Sequence, residues 1–265
     1  MSEQESPDLG PGLLALAVEL ARRAGSLAVA GRRTGVTSVQ TKSSVTDMVT
    51  EYDRASERLI VGHLAEHRPH DAIVGEEGTA TVGTSGIEWL IDPIDGTTNF
   101  LYDLPGWAVS VAAADAHGAL AGAVYVPVLD EMFAARRGGG ATMNGVSIRC
   151  GVRTDLGQAL IGTGFNYVAE RRAVQAAQVA QIMPQVRDIR RLGAASVDLC
   201  FTAMGRLDAY YEEHLGPWDL AAGELIAREA GCVTGDFHGG PAGPEQVLVA
   251  NPALFGPLAK LLAHA

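Results

Sequence analysis

The 265-residue chain predicts an α/β protein of the α+β type, with helix layers packed on mixed and antiparallel sheets. Three observations carry this. A stretch of helical apolar period opens the chain, short strand-like runs broken by turn residues fill its middle, and helix and strand patterns alternate through its second half.

Residues 13–33 place Leu14, Leu16, Ala17, Leu20, Ala21, Ala24 and Leu27 at helical spacing and end near Gly31 and Gly35, which predicts an amphipathic helix. Residues 36–50, rich in Ser and Thr, read as a polar loop. A second helix is expected over 50–67, burying Leu59, Ile60 and Leu64 and closed by Arg68-Pro69-His70. Residues 71–75 and 87–92 read as strands joined by a loose loop of Gly, Thr and Ser. Strands over 106–114, 119–127 and 131–136, a glycine turn at 138–140 and Asn144-Gly145 predict an antiparallel meander. Thereafter come a strand near 158–164, helices near 169–183 and 193–204, a strand near 206–212, a helix over 217–230, strands near 231–236 and 246–250, and a last helix over 252–263. No repeat or Pro-rich linker interrupts this order. The chain therefore reads as one unit, 1–265, whose approximate halves, 1–150 and 151–265, meet in a packed interface.

Twenty Lys and Arg against 31 Asp and Glu give a net charge of −11, and no basic cluster offers a surface for a nucleic-acid backbone. Cys150, Cys200 and Cys232 are far apart and form no Cys-x-x-Cys pair, so neither a disulfide framework nor a zinc site is suggested. The polar, acidic N-terminus carries no secretory pattern, and a cytoplasmic location is expected. Residues 107–129, the most apolar stretch, contain Asp115, His117 and several glycines and read as two strands rather than a membrane span.

The sharpest feature is WLIDPIDGTTNF, residues 89–100, where an apolar strand ends at Asp92 and Asp95-Gly96-Thr97 follows. Carboxylates crowded into one space repel each other, so they stay ionised only when a cation or hydrogen bonds compensate them. Oxygen-rich sites of this kind suit Mg²⁺, which takes its remaining ligands from water and phosphate. Pro93 is expected to end the strand and stiffen the connection, while Gly96 permits close backbone approach to a ligand. A helix starting near Asp95 would offer the Gly96 and Thr97 amides to a phosphate; the plainer alternative is an Asp that caps a turn. Gly75-Glu76-Glu77-Gly78 and Trp218-Asp219 are further acidic points that gain meaning only beside this motif. The seven histidines are read as forming no H-x-x-x-H or similar metal spacing, and so as structural or exposed rather than catalytic. Trp107 and Trp218 read as packing residues, and Ser43, Ser44 and the cysteines lack a paired base that would make a nucleophile.

Taken in order, TKSSVTDMVTEYD, GEEG, WLIDPIDGTTNF, RRLGAASVDLC, DAYYE and PWDLAAGELIAREAG, spread over residues 41–231, resemble the inositol monophosphatase family. The resemblance implies a layered αβαβα sandwich, a homodimer, two to three Mg²⁺ ions, Li⁺ sensitivity and hydrolysis of a small phosphate monoester, inositol 1-phosphate foremost. It places a first metal on Glu76, Asp92 and the Ile94 carbonyl, and a second on Asp92, Asp95 and Asp219, with Asp92 bridging. A third ion would lean on Glu76 through water. The phosphate would meet Gly96 and Thr97 with Lys42 nearby, and Asp53 would hold the Thr97 hydroxyl that orients the attacking water, so that Glu76, Thr97 and Asp53 form the catalytic set. Glu212 and the Ala195 backbone would contact substrate hydroxyls. Such a site meets a severe demand, since uncatalysed phosphate monoester hydrolysis requires an enhancement of up to about 10²¹-fold. Val45 stands where relatives often carry proline.

Histidinol-phosphate phosphatase, fructose-1,6-bisphosphatase and adenosine-3′,5′-bisphosphate phosphatases share the metal motif and remain rivals on substrate. A regulatory, protein-binding role is the non-enzymatic alternative, because some bacterial members of the family join transcription or ribosome assemblies. No membrane partner and no direct nucleic-acid contact are expected.

Overall fold

The computed structural model describes residues 9–36, 38–42 and 48–264. Ser43, Ser44 and Val45 lie outside the described residues.

Helix α1, Gly10–Thr34, turns Leu13, Ala17, Leu20, Ala21 and Ala24 inward at the i, i+3, i+4 spacing of one helical face. Strands β1 (Val39–Thr41) and β2 (Met48–Thr50) pair antiparallel within the stretch expected as polar loop. Helix α2, Glu51–His67, starts from a capping box. The Thr50 hydroxyl accepts from the amides of Tyr52 and Asp53, and Asp53 accepts from the Thr50 amide at 2.8 Å.

An eight-stranded sheet follows from β3 (Ala72–Gly75), β4 (Ala80–Thr81), β5 (Glu88–Asp95), β6 (Ala108–Asp115), β7 (Gly118–Val126), β8 (Glu131–Arg136), β9 (Ala141–Met143) and β10 (Val146–Ser147). Its order is β10-β9-β8-β7-β6-β5-β3-β4; β6 through β8 form the expected antiparallel meander, which β5 on one side and β9 and β10 on the other extend. Only β3 and β5 run parallel. The short helix α3, Thr97–Leu101, lies between β5 and β6.

The rest of the chain supplies β11 (Leu160–Thr163), α4 (Ala169–Ile182), β12 (Asp188–Arg190), α5 (Ala195–Ala203), β13 (Ala209–Glu213), α6 (Pro217–Glu229), β14 (Val233–Gly235), β15 (Gln246–Ala250) and α7 (Pro252–Leu262). These strands form a mixed sheet of order β12-β11-β13-β15-β14. The layers run α1 and α2, large sheet, α5 and α6, small sheet, α4 and α7, which is an αβαβα sandwich. Three apolar clusters fill the spaces between neighbouring layers. At Gly122 of β7 an added Cβ would stand 2.8 Å from the Ala222 Cα, so α6 lies directly on the sheet there.

Two local expectations are corrected. Strand β5 does not stop at Pro93 but runs on to Asp95. It can do so because its ladder with β6 shifts register between Asp92 and Asp95, and because β3 on its other side ends opposite Ile91. Pro93 thus sits where no ladder amide is required. The Gly, Thr and Ser loop before β5 is tied down rather than loose. The amides of Thr84 and Ser85 donate to the His70 carbonyl, and Ser85 donates to the Asp71 carboxylate at 2.6 Å.

Candidate active site

Three carboxylates converge from two elements. Asp92 and Asp95 end β5, and Asp219 stands in the first turn of α6; one oxygen from each lies within 4.8 Å of the other two. Each acid also accepts a backbone amide that fixes it. The Ile94 amide donates to Asp92 at 3.0 Å, the Ser196 amide to Asp95 at 2.7 Å, and the Gly216 amide to Asp219 at 2.7 Å. Asp95 therefore does serve as a cap, but of the distant α5 rather than of its own turn, with the Ser196 hydroxyl adding a second bond at 2.5 Å. Each acid keeps an oxygen for the cluster.

Burial pushes all three acids up. Asp92 and Asp219 rise well above the usual carboxylate range, first through desolvation and then through repulsion from Glu76, Asp95 and, for Asp92, Asp219. Asp95 is raised to about 6, its desolvation partly offset by the Ser196 hydrogen bonds. A divalent cation would relieve this repulsion. The donors are all oxygens and they close a small space, so the residues fit Mg²⁺.

Glu76, Ile94, Gly96, Thr97, Ala195 and Glu212 line the same cleft as the three aspartates. Gly96 has φ +89°, and a Cβ there would press on Ala194 and on the carbonyls of Gly106 and Gly193 at 3.1 Å, so glycine is required. The Thr97 hydroxyl lies 3.1 Å from the buried Asp53 carboxylate and 3.2 Å from the Ile94 carbonyl. Asp53 stands behind Thr97 rather than in the cleft. Burial raises it to about 6, against the hydrogen bonds it accepts from Thr50.

Lys42 also lies outside the cleft lining: its ammonium bonds Glu76 at 2.9 Å and pairs with Glu77. Burial alone would lower Lys42, but the two glutamates outweigh it and hold the ammonium charged. Glu77, which the sequence argument left unassigned, is raised to about 7 by burial in spite of that pairing. Behind both, the buried Glu57 accepts from the Glu77 amide at 2.8 Å and from the Thr79 hydroxyl at 2.6 Å, holding the GEEG turn against α2. Only its place four residues after Asp53 on α2 hinted at Glu57 in the sequence.

The facing wall is built differently. Glu212, on β13, accepts a short hydrogen bond from the Tyr210 hydroxyl and packs so closely on Gly164 that a Cβ there would overlap its carboxylate. Burial raises Glu212 to about 7, with Tyr210 and Arg191 pulling it back down. Asp198 of α5 is fully buried, with one oxygen unpartnered, and desolvation together with Glu212 lifts it well above its usual range. Arg191, Tyr167 and His214 complete this wall. Ala195 opens α5 at the cleft edge, while its amide serves Asp95. Trp107 is buried against Phe100, as a packing residue should be.

The layered sandwich and its acid-rich cleft define a phosphatase of metal-dependent type, and comparison with known proteins reaches the same class. Residues 12–264 match the inositol monophosphatase family, and the chain belongs to that family. An inositol-1-monophosphatase of Mycobacterium leprae is 47% identical over 223 residues, covering 80% of this chain and 77% of that protein. The Nus factor SuhB of Salmonella typhimurium is 38% identical over 230 residues, covering 86% of each. In three dimensions the extragenic suppressor protein SuhB of Bartonella henselae superposes with a TM-score of 0.89 at 33% identity, over 95% of this chain and 98% of that one.

Proposed function

We propose that the protein hydrolyses a small phosphorylated polyol, inositol 1-phosphate foremost, in a Mg²⁺-dependent reaction. The observation that carries this is the convergence of Asp92, Asp95 and Asp219, each pinned by a backbone amide and each leaving an oxygen for a shared cation.

Asp92, Asp95 and Asp219 would hold one ion, and Glu76, Asp92 and the Ile94 carbonyl a neighbouring one, with Asp92 common to both. When bound, Mg²⁺ supplies positive charge to the phosphoryl and departing oxygens and lowers the pKa of a coordinated water. The protein groups do the positioning. Gly96 and Thr97 line the cleft, where their amides would donate to phosphoryl oxygens. The Thr97 hydroxyl, donating to Asp53, keeps its lone pairs for a water on the cleft side and so sets the direction of attack. Glu76 would accept a proton from that water, and Lys42, paired with Glu76 at 2.9 Å and with Glu77, would leave that pairing to meet the phosphate. Glu212, held by Tyr210, and the Ala195 backbone receive the hydroxyls of the polyol.

A phosphate-release panel in Mg²⁺, with and without Li⁺, over inositol 1-phosphate, histidinol phosphate, fructose 1,6-bisphosphate and adenosine 3′,5′-bisphosphate tests the reading. The expected result is Li⁺-sensitive turnover led by the inositol ester. Absence of Mg²⁺-dependent release from all four would overturn it. Sedimentation of the untagged protein tests the expected homodimer, and the two halves 1–150 and 151–265 are read as one inseparable unit, since the cleft draws on both. Among the described residues no helix is long and apolar enough to cross a membrane, and a cytoplasmic setting suits the chemistry.

The relative named as a Nus factor supports a second reading, a regulatory role through a protein partner. Asp95→Asn separates the two: a cellular phenotype kept in the inactive variant belongs to the partner role.

A further inference from the structure

The expectation that the histidines form no H-x-x-x-H spacing is corrected on the outer face of α2. His63 and His67 are four residues apart in His-Leu-Ala-Glu-His, the spacing that stacks two side chains on one helical face. Their rings lie parallel within 20° at a centroid separation of 4.0 Å, and one ligand atom each from His63, Glu66 and His67 fall within 4.8 Å of one another.

The His67 imidazole is already oriented, whereas His63 must turn to offer a nitrogen. His67 Nδ1 lies 3.0 Å from the His63 carbonyl, to which it can only donate, so the proton sits on Nδ1 and the Nε2 lone pair faces outward. A metal-bound histidine is held in this same way, its second nitrogen fixed by a carbonyl. His63 is half-buried against α1, where Arg23 bonds its Nδ1 at 3.1 Å and Glu19 stands 3.8 Å from its Nε2. Glu19 and Glu66 set two carboxylates beside the site against Arg23, which already bonds Glu19 at 3.1 Å and keeps that partner if His63 turns to an ion.

We propose that His63, Glu66 and His67 form a second metal site, separate from the carboxylate cleft and independent of the phosphatase reading, that takes a borderline transition ion such as Zn²⁺ or Ni²⁺ in preference to Mg²⁺. The donor set decides the selectivity, because imidazole nitrogen binds such ions and offers little to hard Mg²⁺. Two nitrogens and a carboxylate leave the remaining positions to water or Glu19.

The test is calorimetric titration of Ni²⁺ into the tag-free full-length protein with Mg²⁺ in large excess, so that oxygen-only sites are filled. Wild type binds one Ni²⁺ per chain. His63→Ala and His67→Ala each weaken that binding by roughly tenfold or more, the scale on which altering a metal's immediate surroundings acts. Mg²⁺-dependent phosphate release, measured on the same samples, stays unchanged and shows that the variants are folded. Ni²⁺ binding undiminished in the double variant His63→Ala/His67→Ala, or absent from wild type, overturns the proposal.

Discussion

The two walls of the cleft solve opposite problems with similar residues. On the phosphate wall, Asp92, Asp95 and Asp219 are crowded together, and each spends one oxygen on an amide of the chain that carries or faces it. On the facing wall, Glu212 is just as strongly desolvated but stands apart from that cluster, held by Tyr210 and drawn down by Arg191; Asp198, buried outside the cleft lining with one oxygen unsatisfied, is raised by desolvation and by Glu212. Crowding suits a site that must concentrate positive charge. Separation, with raised pKa values and an adaptable proton, suits a site that must exchange hydrogen bonds with neutral hydroxyls. The division predicts that the first wall governs rate and the second governs choice of substrate.

The largest expected effect therefore falls on Asp95. Asp95→Asn preserves shape but removes a charge from the centre of the cluster, and kcat should fall by roughly 10³-fold, the scale on which losing preorganised electrostatic stabilisation acts. Because Asp95 also caps α5, Ser196→Ala is the companion variant. It loses the hydroxyl bond to Asp95 and should cost about 1 kcal/mol in chemical denaturation while leaving most of the activity. Equal activity losses in both would assign Asp95 a merely structural part.

Thr97→Val comes next. It keeps the shape of the side chain but deletes the hydroxyl that Asp53 holds, and a loss of roughly 10²-fold in kcat with little change in KM is expected if Thr97 orients the attacking water. An unchanged rate in steady-state phosphate release would place Thr97 outside the chemistry.

These residues also mark where the sequence is legible. WLIDPIDGTTNF, GEEG and PWD are readable because each is a local string whose acids sit at the junction of a strand or helix with a turn, and helical period and turn dipeptides forecast the longer elements, while the short strands β1, β2, β4 and β12 escape them. What escapes is long-range. That Asp95 caps α5, 101 residues on, that Glu57 clasps the GEEG turn from α2, and that β5 can cross Pro93 all depend on partners that no local pattern names. The His63 and His67 pair is different. Its spacing and Glu66 stand in the sequence, against the expectation of no such spacing, and the structure adds Arg23 of α1 and the ring orientation.

On the facing wall the expected effects are smaller and concern ranking. Glu212→Gln should shift the relative kcat/KM of inositol 1-phosphate against histidinol phosphate by roughly tenfold, the value of one altered hydrogen bond to a substrate hydroxyl, while the Mg²⁺ dependence stays put. Gly164→Ala supplies a second route to the same result, because its Cβ would overlap the Glu212 carboxylate and force it aside. If both variants leave the ranking unchanged, recognition lies elsewhere along the cleft.

The smallest effect is a slope in stability, and its sign distinguishes crowding from ordinary pairing. In metal-free protein Asp95 titrates near 6 and Glu77 near 7, both above their unfolded values near 4. The folded state then holds protons that the unfolded state has released, so the contribution of these two acids to stability is fully present below about pH 4 and is lost as pH rises toward 7. The melting temperature without metal should fall by several degrees over that interval, and saturating Mg²⁺ should restore it most at the alkaline end, because only ionised carboxylates bind the ion. A metal-free melting temperature that instead rises from pH 5 to 7, with a Mg²⁺ increment independent of pH, would mean that the acids are paired within the protein and are not held in readiness for a cation.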